Sequence, residues 1–333
     1  MKILLSLTML MLSVAPGVHA NTALPGADEF VNEMAKEYQF DPKELDKIFK
    51  EVEVKDSILK AISRPAEKSK PWYDYRKIFI TDKRIAEGAD YWRQNTEALE
   101  RAEQKYGVPA EIILAILGVE TFYGRITGGY RVVDALSTLA FRYPPRSKFF
   151  RSELKHFFIL TREEQMSVLN PVGSYAGAMG LGQFMPSSYR EYAVDFDGDG
   201  RRDIWTNPTD AIGSIANYLH RHGWVAGESI VHRTHVREGV PTALLEKGAK
   251  PSIQVSALAS ASVSTAHLPK TANKVGLITL TQPEGEEYWL TRQNFYSITR
   301  YNHSRMYAMA VTQLAQAIKA QYKDCLLYTS DAA

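Results

Sequence analysis

One carboxylate at the end of an apolar helix constrains this chain most tightly. Pro109 opens a helix that carries Ile112, Ile113, Ile116 and Leu117, and the run continues Gly118-Val119-Glu120-Thr121. Glu120 stands four residues after Ile116 and seven after Ile113, so it projects from the apolar face. That face must be buried, and a carboxylate on it is costly unless it is paired or protonated. Desolvation favours the acid form of a carboxyl, which a general acid working near neutral pH requires. A Glu at a frayed helix end would instead turn to water. Position alone leaves both readings open.

The flanking sequence is mostly helical. Asp41-Pro42-Lys43-Glu44 combines an N-cap, a proline at the first helical position and an acid, ahead of an apolar face of Leu45, Ile48, Phe49 and Val52. The spacing of Ile85, Ala89, Trp92, Leu99, Ala102 and Tyr106 predicts one helix from about Asp82 to Lys105, stopped by Gly107. Thr209 to His222 presents Ile212, Ile215, Ala216 and Leu219 and ends in a cationic turn before Gly223. After Trp224 the periodicity fades. Ile253, Val255 and Ala257 alternate with polar residues, and Val275–Leu280 and Tyr288–Leu290 read as strands, with a Ser/Ala-rich loop near Ser260 to Ser264. Helical spacing returns with Tyr307, Ala310, Val311, Leu314 and Ile318. No internal repeat is visible.

Composition narrows the function classes. Forty basic residues against 38 acidic ones leave a net charge of +2, so no nucleic-acid partner is expected. A single cysteine, Cys325, excludes an intramolecular disulfide, a thiolate zinc cluster and a two-cysteine redox pair. The 18 tyrosines suit sugar or peptide surfaces, although cores also use them.

The first twenty residues read as a secretory signal. Lys2 precedes an apolar run from Ile3 to Val14, and Val18-His19-Ala20 offers a cleavage site before Asn21. The run is too short to span a bilayer, and no lipid-attachment cysteine follows it. A soluble periplasmic chain is expected. Residues 325–333 break the preceding helical pattern, are expected to be a disordered or artefactual end, and receive no function.

Two further segments carry chemistry. Ser174-Tyr175-Ala176-Gly177-Ala178-Met179-Gly180-Leu181-Gly182-Gln183-Phe184-Met185-Pro186 is punctuated by glycine, which lets backbone approach a bulky ligand or simply makes a tight turn. Asp195-Phe196-Asp197-Gly198-Asp199-Gly200-Arg201-Arg202-Asp203 sets acids at loop positions 1, 3, 5 and 9 with glycine at 6, the start of an EF-hand. Thr206 stands at position 12, where a bidentate Glu is usual, and Arg202 at position 8, where an apolar residue is usual. An Asx-turn loop without metal is the alternative.

Three motifs, in order, resemble the lytic murein transglycosylase B family. They are Glu120-Thr121-Phe122-Tyr123-Gly124, then Gly177 to Tyr189, then Ile298-Thr299-Arg300-Tyr301-Asn302-His303-Ser304. The resemblance implies a mainly α fold: a goose-lysozyme-like helical core, a helical N-terminal domain and a small β module. On this chain those become residues 21–105 for the N-terminal domain, 106–224 for the core with its loop at 195–210, 225–300 for the β module and 301–324 for a C-terminal helix.

The resemblance also implies a reaction, cleavage of the β-1,4 bond from N-acetylmuramic acid to N-acetylglucosamine in peptidoglycan, leaving a 1,6-anhydro end. Glycosidases of the common kind need two carboxylates, and only Glu120 is well placed here. One suffices as acid and then base if the substrate's N-acetyl group serves as nucleophile, so no catalytic cofactor is expected. By the same resemblance Ser174, Gln183, Phe184, Tyr75, Arg146, Tyr218, Tyr301, Asn302 and Tyr307 contact substrate. Each has a plainer alternative as a loop, surface or core residue. Ca2+ is expected in a structural role on Asp195, Asp197 and Asp199, the Arg201 carbonyl and Asp210, with one residue extra before Asp210. The expected partners are glycan strands, and synthesis or division proteins; a monomer is expected. A hydrolytic muramidase and a catalytically silent peptidoglycan-binding protein are the competing readings.

Overall fold

The computed structural model describes residues 24–63, 70–237 and 239–330. The expected signal segment therefore lies outside the described residues. Helices α1 (Ala27–Tyr38), α2 (Pro42–Glu51), α3 (Asp56–Ile62) and α4 (Trp72–Phe79) come first, followed by α5 (Asp82–Gln94), α6 (Thr96–Tyr106) and α7 (Ala110–Thr121). Asp41 caps α2 by accepting from the Lys43 amide at 2.9 Å, as the Asp-Pro signal implies.

The predicted single helix over 82–105 is two helices. The Asn95 amide donates back to the Tyr91 carbonyl, and the Thr96 hydroxyl to that of Trp92. Such local bonds compete with the helical ladder and break it at Asn95.

A two-residue strand β1 (Tyr130–Arg131) leads into α8 (Val132–Arg142) and α9 (Ser147–Glu163). It pairs antiparallel with β2 (Val172–Gly173), just before the glycine-punctuated segment. Helices α10 (Pro186–Tyr192) and α11 (Pro208–Arg221) flank the acidic loop.

The β module holds β3 (Val231–Thr234), α12 (Thr242–Leu245), β4 (Ile253–Gln254), α13 (Val255–Ala259), β5 (Lys274–Gln282) and β6 (Gly285–Thr291), in antiparallel order β3-β6-β5-β4. The expected strand through Val255 and Ala257 stops at Gln254. Pairing ends after Ile253 and Gln254, and the chain turns helical, which drives Leu258 into a small core with Val275, Leu277 and Leu290. The alternate residues Ile278 and Leu280 face the main core instead, so β5 joins the two cores through its period-2 pleat.

Helices α14 (Gln293–Tyr301) and α15 (Arg305–Ser330) close the chain. Two expectations are corrected here. Tyr301 ends α14 rather than beginning the C-terminal helix. That helix also continues through the tail expected to be irregular, as far as Ser330. Its residues there include Leu326 and Leu327 and neither Gly nor Pro, so nothing stops it. The main core runs from Leu24 in the first described turn to Ile318 in α15, with α7 buried on all sides. No helix among the described residues is long and apolar enough to cross a membrane.

Candidate active site

After Glu111 in its first turn, helix α7 is apolar all round until its last turn, where Glu120 emerges half-buried. The helix then ends on Phe122, Tyr123 and Gly124 in succession, all with positive φ (51°, 56° and 90°). Two non-glycine residues in that region cost of order 1–3 kcal/mol each, so the surroundings must hold them. The Tyr123 hydroxyl donates to the Arg84 carbonyl at 2.9 Å. Its ring end sits so close to α5 and α7 that a Cβ on Gly88 or Gly118 would lie 2.4 or 2.7 Å from the phenol oxygen. Burial pushes the Tyr123 phenol well above the usual range, so it stays a neutral donor.

Thr121 ties this corner to the glycine-punctuated segment. Its hydroxyl donates to the Leu181 carbonyl at 2.8 Å and accepts from the Gly124 amide at 3.0 Å. The segment is a folded loop: Met179 and Phe184 exchange amide bonds at 2.9 Å, and the Leu181 amide donates to Ile204 at 2.8 Å. Gly180 has φ +69°, and a Cβ there would lie 2.5 Å from the Ile204 carbonyl oxygen. Only glycine fits that approach.

The residues expected at the site fall into three groups. Tyr307 reaches Glu120 directly, its hydroxyl donating to Oε1 at 2.6 Å. Burial first, and then the Glu120 charge, push the Tyr307 phenol well up, and the same two causes act on Tyr301. Tyr301 donates in turn to the Gly182 carbonyl at 2.6 Å, which fixes the loop against α14. Tyr75, Phe184 and Tyr218 form the second group and are buried, at 0%, 3% and 7% exposure. Phe184 packs on Tyr218 and Tyr301, each with centroids 5.7 Å apart, so these rings support the site from behind.

The third group lies in the loop and groove. Ser174 accepts the amides of Ala178 (3.0 Å) and Ala176 (3.3 Å) on its hydroxyl oxygen. Gln183 braces its own loop by donating to the carbonyls of Gly180 and Thr127. Arg146 and Asn302 line a groove of about 1030 Å³ with Tyr301, to which Lys70–Trp72 and Thr279–Thr281 also contribute. Arg146 lies over the Phe149 ring at 4.3 Å.

Other carboxylates of the core are engaged elsewhere. Asp134 is held by Arg131, Glu153 by Ser187, Glu163 by Arg190, Glu164 by Arg202 and Glu87 by Arg125.

In the acidic loop, Asp195, Asp197 and Asp210 converge, with one oxygen of each within 4.8 Å of the others. Asp210 is reached despite the extra residue, because its carboxylate accepts the amides of Phe196 and Asp203, both at 2.7 Å, across the loop. Burial nevertheless raises its pKa, which a bound cation would oppose. Asp199 is outside this trio, accepting the Arg201 amide at 2.8 Å. Sequence reasoning missed Asn207, which caps α11 and donates to Asp197 Oδ2 at 2.6 Å. The Asn207-Pro208 pair is a helix-start signal and marked it.

A transglycosylase SLT domain model matches residues 23–316. The membrane-bound lytic murein transglycosylase B of Escherichia coli (strain K12) is 44% identical over 304 residues, which are 88% of this chain and 82% of that protein. The soluble lytic transglycosylase SltB1 of Pseudomonas aeruginosa superposes with a TM-score of 0.84 at 52% identity, over 89% of this chain and 99% of that one. The Escherichia coli lytic transglycosylase Slt35 in complex with calcium gives 0.83 at 43% identity, over 92% and 96%. Fold and site thus define a lysozyme-like enzyme of the cell wall. Within that class the chain belongs to the transglycosylase SLT domain family, and its activity is that of a lytic murein transglycosylase.

Proposed function

We propose that Glu120 alone performs the proton chemistry, as acid and then as base, on the bond from N-acetylmuramic acid to N-acetylglucosamine. The reading rests on its position at the open end of a buried helix, with Oε1 held by Tyr307 at 2.6 Å. With that oxygen an acceptor, the transferable proton sits on Oε2. It passes to the glycosidic oxygen as the bond to C1 breaks, and the N-acetyl carbonyl oxygen bonds to C1. The Glu120 carboxylate then takes the C6 hydroxyl proton, O6 attacks C1 and the acyl oxygen leaves. The 1,6-anhydro ring closes and Glu120 is again protonated.

Ser174 is suited to orienting the N-acetyl group, since its oxygen already accepts two amides and its own O–H is left to donate. Tyr301, Asn302 and Arg146 offer polar and aromatic contacts to sugar and lactyl or peptide groups along the groove, and Gln183 offers its amide from the glycine-punctuated loop, while Tyr75, Phe184, Tyr218 and Tyr307 are the buried aromatics around the site. Mass spectrometry of digested sacculi is the test. Anhydro ends support the reading; products heavier by one water identify a hydrolytic muramidase instead.

The same reading assigns Ca2+ to Asp195, Asp197 and Asp210, with Asp199 and the Arg201 carbonyl completing the shell, in a structural role. The chemistry of three converging oxygen donors supports it. It also assigns a periplasmic, monomeric enzyme, with the chain divided near residues 105, 224 and 300, that meets synthesis or division proteins.

A further inference from the structure

A second cavity, of about 570 Å³, lies beside Val172 of β2, between the end of α9 and the acidic loop. Trp205 and Val172 supply its apolar wall, and Val172 is 41% exposed. The wall is preformed: the Trp205 indole donates to the Val172 carbonyl at 3.2 Å, and its ring rests on Tyr189 at 5.6 Å.

The charged groups of the cavity are largely neutralised. Glu164 is bonded by Arg202 and Glu163 by Arg190, while Asp203 accepts the amides of its own turn at Trp205 and Thr206. Asn170 and Gln165 add exposed amides to the lining, and Arg201 stands exposed there. An aromatic wall, primary amides and paired ions together suit a neutral, hydroxyl-rich ligand, and an exposed arginine suits a carboxylate carried on it.

The substrate of this enzyme is a polymer with both features, and it is longer than any catalytic groove. Val172 lines the second cavity and Ala176 the groove beside Tyr301. Four residues span about 14 Å at most, so the two depressions are neighbours along one strand-and-loop segment.

We infer that the Trp205 cavity is an accessory glycan-binding site that holds a non-reacting stretch of murein strand while another stretch occupies the catalytic groove. The inference rests on the murein substrate and deepens the proposed function.

The test compares binding and chemistry separately. Co-sedimentation with purified sacculi is measured for the Glu120→Gln chain, alone and carrying Trp205→Ala or Asn170→Ala. Cleavage of a short soluble murein tetrasaccharide is measured for the same two substitutions with Glu120 intact. The expected result is a dissociation constant for sacculi raised roughly tenfold by Trp205→Ala and severalfold by Asn170→Ala, with cleavage of the short substrate within about twofold of wild type. Unchanged sacculus affinity in both variants overturns the site. A parallel loss on both readouts also overturns it, by placing Trp205 in the scaffold. Failure of the Glu120 assignment shows up apart from these, as product release by the Glu120→Gln chain.

Discussion

The Tyr307 phenol donates to Glu120 Oε1 across 2.6 Å, which fastens the last turn of α7 to the first turn of α15, 187 positions later. Such a bond is worth about 0.5–1.5 kcal/mol to the neutral acid and about 1.5–3 kcal/mol to the carboxylate left by the first proton transfer. If it positions the carboxyl for both proton transfers, Tyr307→Phe lowers kcat roughly tenfold to a hundredfold and leaves KM nearly unchanged. Steady-state kinetics on a soluble murein fragment, with a melting curve as control, decide the matter. A wild-type kcat in a folded Tyr307→Phe chain removes Tyr307 from the mechanism.

Glu120→Gln keeps the shape of the side chain and removes its proton. Loss of a proton-transfer group typically costs about 10²–10⁴-fold, and more when one group serves both steps. Release of anhydro-muropeptides from sacculi is expected to fall by at least that range, with the melting temperature little changed. Turnover at the wild-type rate sinks the single-carboxylate mechanism.

Helix α1 is held on α9 by Glu33, which bonds Lys155 and Arg151, while Arg151 also donates to the Gly26 carbonyl at 3.0 Å. The Lys155 bond is the main cause that holds the Glu33 carboxyl below its ordinary range, opposed by partial burial. A depressed folded pKa contributes stability above the unfolded value that is lost as pH falls through the folded one. Wild type should therefore lose its advantage over Glu33→Gln below about pH 4. At pH 7 the gap should be about 1 kcal/mol or less, as for a partly exposed pair. Urea melts of both chains from pH 7 to 3 measure it; a gap that grows as pH falls contradicts the assignment.

Much of this was legible in the sequence because it is local. Asp41-Pro42 marks α2, the mostly apolar run Val275–Leu280 marks β5, and the Ile112–Leu117 run marks the buried helix that delivers Glu120. What escaped depended on competition or distance. Asn95 and Thr96 break a continuous apolar stripe through bonds that periodicity does not register. Val255 and Ala257 alternate like a strand, yet burial of Leu258 favours a helical turn. Tyr307 has the spacing of a core residue and is one, at 2% exposure, while its hydroxyl also reaches Glu120. Helical spacing describes the ring and says nothing of where the hydroxyl ends.

The acidic loop gives the last prediction. Asp195, Asp197 and Asp210 bring like charges within 4.8 Å, and that repulsion is only partly offset by the amides of Gly198, Gly200, Phe196 and Asp203. The Asn207 amide and the Asp199 N–H favour the charged form of Asp197, so its carboxyl stays below the usual range and ready to ligate. A cation that binds only the folded chain stabilises it by RT ln(1 + [L]/Kd), about 2.7 kcal/mol at a hundredfold excess over Kd. Ca2+ should therefore raise the melting temperature of wild type and EDTA lower it, whereas Asp197→Ala should melt alike in both. Because the loop joins α10 to α11 and supplies Ile204, whose carbonyl holds Leu181, loss of a cation bound there should weaken the frame of the site without touching Glu120. Cleavage at low temperature should accordingly survive chelation. Equal melting temperatures for wild type in Ca2+ and EDTA discard the cation site, and activity lost in EDTA from a chain that stays folded discards its purely structural role.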